Sequence, residues 1–325
     1  MAKKSTNNRR PAPARPPVRG GRPAPARPPV RARGGRPAGL FTWIAVGLVV
    51  LVVAALVIIK VATGSPTTGG KSSFSPISAA NLADLTTVPA SVFNTVGVTS
   101  PIAQVSPPDA VKAQPSLTAT NSAGATVPEI VYVGAEYCPY CAAQRWATII
   151  ALSRFGTFSG LGNMSSYYKD VFPNTPTFTF VMAKYKSKYL VFKTVEEYTN
   201  YLDAAGTYYE ALQKPTAQEI ALIKKYDRPK YIPDLTASEA ESIPFIDFGN
   251  QFLVAGASYS PTTLAGSTRN EIAAGLSNAT SPVTQAIIAS ANYQTATICS
   301  LTKNMPSTVC TSSGVEVAAK AMGLK

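Results

Sequence analysis

Cys138-Pro139-Tyr140-Cys141 is the stretch whose residue types and spacing are best suited to chemistry. Two cysteines three apart can close a disulfide across the first turn of a helix, because positions i and i+3 share a face. Glu129-Ile130-Val131-Tyr132-Val133 ahead of them reads as a short buried strand, and residues 141–153 read as an amphipathic helix. A cysteine at such a helix start meets free amides and the positive end of the helix dipole, which stabilise its thiolate. A thiolate formed near neutral pH attacks and leaves readily in disulfide exchange. Cys138 is therefore expected as the exposed nucleophile and Cys141, one turn in, as the buried resolving thiol. The bland alternatives are half of a zinc site or an inert structural disulfide.

The chain contains no histidine, which excludes Ser-His-Asp and Cys-His catalysis and any zinc site using imidazole. A four-thiolate zinc site would need Cys299 and Cys310 as its second pair, and their spacing is far wider than a short zinc knuckle. These two cysteines are expected instead to form a second, structural disulfide, which implies an oxidising compartment. No metal and no organic cofactor is expected.

These elements follow a chain whose composition is sharply divided. Residues 1–39 hold 11 Lys/Arg and no acidic residue; the other 19 of the 30 basic residues face all 17 acidic ones, a net of +2. The net charge of +13 thus belongs to the tail, and nucleic-acid binding is not expected of the remainder. Within the tail, the sequence of residues 10–19 recurs at 22–31, and its proline density forbids helix and sheet. Residues 40–59 carry no charge and are long enough, at about 1.5 Å per residue, to span a bilayer as a helix. The basic tail places the N-terminus in the cytoplasm and the rest outside it, in agreement with the cysteines. The tail and span are expected to contact membrane lipid. Residues 61–77 read as a stalk, and residues 78–98 as an N-terminal extension able to pack on the main domain.

Beyond residue 129 the pattern is mixed α/β, with strands expected at 129–133, 177–183, 188–193, 244–248 and 251–255. Helices are expected at 141–153, 195–213, 216–226, 262–275, 282–296 and 313–322. Pro244 suits the beginning of a strand, and Gly249-Asn250 the turn of a hairpin. Tyr167, Tyr168, Phe172, Phe178 and Phe180 read mainly as core and strand packing. Lys184, Lys186 and Lys188 read as a solvated tip, and Arg145 as solvated or as a support for the thiolate.

Residues 131–141 resemble the active-site strand and turn of the thioredoxin superfamily, with the Pro-Tyr of glutaredoxins between the cysteines. Ile243-Pro244 before a strand, turn and strand is similar to that superfamily's cis-proline and terminal hairpin. The resemblance implies a cis bond there, Pro244 packed against the CxxC, and Ile243 pairing with the backbone of a substrate, with Tyr140 bordering the same site. Residues 132–158 resemble more closely a family of bacterial membrane-tethered proteins catalogued as a domain of unknown function; this likeness covers most of the chain after the stalk. Tyr132 stands where thioredoxin has a buried acid. Glu136 is a candidate substitute, though it reads as exposed. The separation of 103 positions from Cys141 to Pro244 implies an inserted helical lobe.

The reading is an α/β protein: a thioredoxin-like fold with an inserted helical lobe, preceded by one transmembrane helix. Its segments are a disordered cytoplasmic tail (1–39), the transmembrane helix (40–60), the stalk (61–77) and an extracytoplasmic domain (78–325). The expected activity is thiol-disulfide exchange with protein cysteines through Cys138 and Cys141, with an unidentified redox partner. The alternative is a membrane-tethered binding or scaffold protein in which the CxxC is structural.

Overall fold

A computed structural model describes residues 74–324 of the protein. The basic tail, the apolar stretch at 40–60 and residues 61–73 of the stalk lie outside the described residues. Among the described residues no helix is long and apolar enough to cross a membrane.

A short strand, β1 (Ser75–Pro76), leads into helices α1 (Ala79–Thr86) and α2 (Ala90–Val96). Strands β2 (Asp109–Ala110) and β3 (Thr118–Thr120) precede the long β4 (Thr126–Gly134), and helix α3 (Pro139–Ser153) follows it. Then come β5 (Thr157–Ser159), β6 (Gly162–Ser165), β7 (Pro176–Thr179), β8 (Lys184–Lys186) and β9 (Val191–Glu196). A hairpin, β10 (Tyr198–Leu202) and β11 (Tyr209–Ala211), leads to α4 (Ala217–Tyr226). Strands β12 (Phe245–Phe248) and β13 (Phe252–Ala255) form a second hairpin. The chain closes with α5 (Arg269–Gly275), α6 (Pro282–Leu301), α7 (Ser307–Cys310) and α8 (Ser313–Ala321).

The main sheet is built around β4, which pairs parallel with β9 and antiparallel with β12; β13 and then β2 extend the β12 side. The period of two along β4 sends its side chains to opposite faces. Ile130 and Tyr132 join the large core with Trp146, Ile149 and Ile150 of α3 and Ile287 and Ile288 of α6. Val131 and Val133 join a smaller core with Leu222 and Tyr226 of α4. With both faces covered, residues 129–134 are buried without a break, which explains why this strand reads as a continuous apolar run. Helix α3 is buried throughout residues 141–152, so it is a central element without a solvated face.

The structure departs from the sequence reading in two further places, and bears out the packing of the N-terminal extension. Residues 195–213 are not a helix: they end β9 and form the β10–β11 hairpin, so the insertion after β9 is a hairpin followed by the single helix α4. The aromatic and β-branched residues of Tyr198-Thr199-Asn200-Tyr201 favour strand, and Gly206, at φ +69°, serves the turn. The helix expected at 262–275 is a 3-10 turn (Pro261–Leu264) and then α5, with Gly266 at φ +75° between them. Residues 78–98 form two full helices, whose Leu85, Val92 and Phe93 enter the large core.

Cys299, in the last turn of α6, is disulfide-bonded to Cys310 of α7, with 5.6 Å between their Cα atoms and a separation of 11 in sequence. Replacing both with Ser is expected to lower the unfolding free energy by about 2–3 kcal/mol through the lost loop constraint. A urea titration of wild type and double variant measures this; coincident curves would show that the bond adds no stability.

Candidate functional site

The junction of β4 and α3 holds the two free cysteines. Cys138 is the N-cap of α3, with Pro139 at the first helical position, where its missing N–H is no loss. The Cys138 Sγ accepts the backbone N–H of Cys141 at 3.3 Å, as a capping side chain should. On its other side it lies 3.8 Å from the carbonyl oxygen of Ile243, to which its S–H donates. Ile243 and Pro244 are joined by a cis peptide bond at the beginning of β12. The structure thus brings Cys138, Cys141, Ile243 and Pro244 together across 105 residues of chain.

One expectation about the exposure of the cysteines is corrected and one holds. Cys138 is covered, at 5% exposure, while its neighbour Tyr140 is 41% exposed. Cys141 is wholly buried. The two thiols are driven in opposite directions. Hydrogen bonding from Cys141 holds the Cys138 thiol below the ordinary range, against its own burial, and Arg145 assists from a distance. Burial pushes the Cys141 thiol up, and the charge and hydrogen bond of Cys138 push it further.

Arg145, one turn beyond Cys141, is fully buried rather than solvated. Its Nε and Nη2 donate to the two carboxylate oxygens of Glu196, at 2.9 and 2.6 Å, and Nη2 also donates to the Ala135 carbonyl at 2.7 Å. Glu196 ends β9, so the pair ties α3 to the strand parallel to β4. Tyr132 lies under the same guanidinium, with the Arg145 carbon 5.9 Å from its ring centre. A side chain at Gly134 would collide with the Tyr132 hydroxyl, which explains the glycine there. Glu136, read from sequence as exposed, is also buried. Burial, relieved by a hydrogen bond from Thr179, raises its carboxyl to about 7, with Glu196 and Arg145 acting in opposite senses.

The turn before Cys138 is anchored to the inserted hairpin. Glu136 N–H donates to the Tyr198 carbonyl at 2.9 Å, and Glu197 N–H to that of Gly134 at 2.7 Å. Tyr137 stacks on Tyr209 with ring centres 3.9 Å apart, and Tyr209 meets Tyr167 edge-on. Tyr140 meets Phe172 edge-on at 5.7 Å. Of the aromatic cluster expected in the core, Phe178 and Phe180 are buried there, whereas Tyr167, Tyr168 and Phe172 border this site. Lys184, Lys186 and Lys188 are exposed. Among the described residues no group of Cys, Asp and Glu could hold a metal ion.

The Arg145–Glu196 pair was missed in sequence because its members lie 51 residues apart. The available signal was weak: an arginine followed by the largely apolar run Trp146–Leu152, where a buried charge must be paired.

Two measurements check this network. Arg145→Met leaves Glu196 buried and unpaired and is expected to cost about 3–5 kcal/mol in a urea titration; a change within 1 kcal/mol would contradict the pairing. The folded state keeps the Glu136 proton between the ordinary value of 4.5 and about 7. The stability this gives is present in acid and lost as pH rises through 7. Glu136→Gln cannot ionise, so it is expected to be more stable than wild type at pH 8, by up to about 3 kcal/mol, and nearly equal at pH 4. A constant difference across that range would contradict the shift.

No curated protein and no solved structure matches the chain. The family described as "Domain of unknown function (DUF929)" matches residues 115–300, a stretch holding Cys138, Cys141, Arg145, Glu196 and Ile243–Pro244. That match covers more than half of the chain, which therefore belongs to this family.

Proposed function

We propose that this protein is a membrane-anchored, extracytoplasmic thiol-disulfide oxidoreductase of thioredoxin-like type, acting on protein cysteines through Cys138 and Cys141. The observation that carries the reading is the capping geometry of Cys138: a sulfur at a helix start, bonded by the Cys141 amide, with its pKa lowered and a fully buried second thiol one turn away. A purely structural CxxC has no need of such an asymmetry. The β4–α3 junction facing the cis Ile243–Pro244 bond supports the thioredoxin-like assignment. Anchoring and orientation rest on the uncharged run at 40–59 and the basic tail before it.

In the reductive direction the Cys138 thiolate attacks one sulfur of a substrate disulfide. The substrate S–S bond breaks, a Cys138–substrate disulfide forms, and the other substrate sulfur leaves as a thiolate that takes up a proton. Cys141 then loses its proton and attacks Cys138 Sγ. This forms the Cys138–Cys141 disulfide and releases the second substrate thiol. The substrate gains two electrons and two protons, and the dithiol loses them; the reverse sequence oxidises a substrate dithiol. The Ile243 carbonyl, already at the sulfur, is placed to receive an amide of an extended substrate. An unidentified redox partner restores the starting state.

Because the thiolate is the reactive form, a lowered pKa preserves reactivity as pH falls. After mild reduction, iodoacetamide at about pH 6, well below the ordinary thiol pKa near 8.5, is expected to label Cys138 ahead of Cys141, Cys299 and Cys310. Mass spectrometry of the labelled peptides decides. Preferential labelling of Cys141 or Cys299, or a Cys138–Cys141 disulfide that resists reduction, would overturn the reading.

A further inference from the structure

A groove of about 710 Å³ opens beside the cysteines, bordered at one end by Tyr140 and Ile243. Its floor is the end of β13 and the residues after it, 254–258. The groove exists because the sheet edge is incomplete. Strand β2 pairs only with Phe252 and Leu253, through Ala110 and Asp109. The next contact to this edge is the Ser106 N–H on the Ser258 carbonyl, at 2.8 Å. Between them lie Pro107 and Pro108, which have no N–H to give to a ladder. Val254 and Ala255 are therefore paired with β12 on one side and lie against the groove on the other.

The walls carry charge of one sign. Asp109 lines the groove from β2, and Asp234 and Glu239 line it from the segment between α4 and Ile243. Among the described residues no Lys or Arg lines the groove, and none holds one of the three carboxylates in an ion pair. Asp109 and Asp234 are close enough to raise the Asp109 carboxyl, after the effect of its burial. This concentration is local, since residues 40–325 carry a net charge of only +2.

We propose that this groove docks an extended polypeptide segment bearing Lys or Arg close to its reactive cysteine, so that the preferred substrates are disulfides flanked by basic residues. The assignment rests on the oxidoreductase reading and specifies its substrate class. An extended chain laid along β13 can add to its open edge, its cysteine arriving at the Cys138 sulfur past Ile243 and its cations facing the three carboxylates. Charge pairs at a groove rim act chiefly on encounter and selectivity, and salt screens them.

The test uses the full chain and two disulfide-linked peptides that differ only in carrying Arg or Glu on both sides of the cysteine. At low ionic strength the Arg peptide is expected to exchange about tenfold faster or more. That ratio should shrink toward one in Asp109→Asn/Asp234→Asn/Glu239→Gln, and in wild type at high salt. An unchanged ratio in the folded triple variant, a salt-insensitive ratio in wild type, or a preference for the Glu peptide would overturn the proposal. Exchange of wild type with glutathione disulfide reports on the oxidoreductase reading alone. Binding of a labelled, Ser-for-Cys Arg peptide to Cys138→Ser/Cys141→Ser, followed by fluorescence anisotropy, reports on the groove alone. If that binding is absent, or matches the Glu peptide, the groove assignment fails whatever the exchange assay gives.

Discussion

The guanidinium of Arg145 and the carboxylate of Glu196 face each other with no water between them, and three parts of the site depend on that contact. A buried pair adds little net stability over an apolar substitute, but either member alone is severely penalised, so the two fix one another's position. One part is the seating of α3 against β9. Another is the Ala135 carbonyl, held by the same guanidinium, which sets the turn that delivers Cys138 to the helix start. The third is a positive charge on the inner side of both thiols. Glu196 extends the arrangement outward: its Oε1 accepts the Phe180 amide, and its own amide donates to the Gln213 side chain beyond the hairpin.

The same interior sets how charge is shared. Arg145 and Glu196 cancel, so a Cys138 thiolate would leave the compartment with a net negative charge, borne by the helix start and the Cys141 amide. A second negative charge has no counterpart. Burial holds the proton on Cys141, and burial with the nearby Glu196 charge holds it on Glu136 up to about 7. The lowered Cys138 and the raised Cys141 and Glu136 are thus consequences of one limit, the number of charges that a dry pocket with a single cation tolerates.

Much of this was legible in the sequence, and the limits have physical causes. The strand at 129–133, the CPYC turn, α3, the β12–β13 hairpin and the pairing of Cys299 with Cys310 each leave a local signature: an apolar run, a proline, a Gly-Asn turn, a leftover cysteine pair. The placement of Ile243–Pro244 beside the CxxC came only through a resemblance, since nothing local links residues 105 apart; the contact of the Ile243 carbonyl itself with Cys138 was not anticipated. Glu136 and Arg145 were misjudged because burial of a charge is decided by what packs over it. The cover of Cys138 was missed for the same reason; the hairpin that anchors its turn lay in a segment read as helix, where Glu196-Glu197 and Ala204-Ala205 mimic helical composition. The groove was invisible because it depends on where a ladder stops.

Cover and groove together decide how Cys138 can be approached. On the hairpin side, Tyr137, Tyr209 and Tyr167 stack against one another, and Tyr140 leans on Phe172. Stacked rings of this kind exclude a backbone as well as water. On the other side the sheet edge stays open, because Pro107 and Pro108 cannot zip β2 further along β13. Under the proposed docking, a cysteine that is only 5% exposed is reached along the edge of β13 past Ile243. Under that docking, selectivity is set along the same line, and the carboxylates that border the groove, Asp109 and Asp234, share no chain segment with either cysteine. On the proposed reading, the dithiol and the surface that would choose its partner can therefore change independently, while the buried Arg145 beneath them cannot.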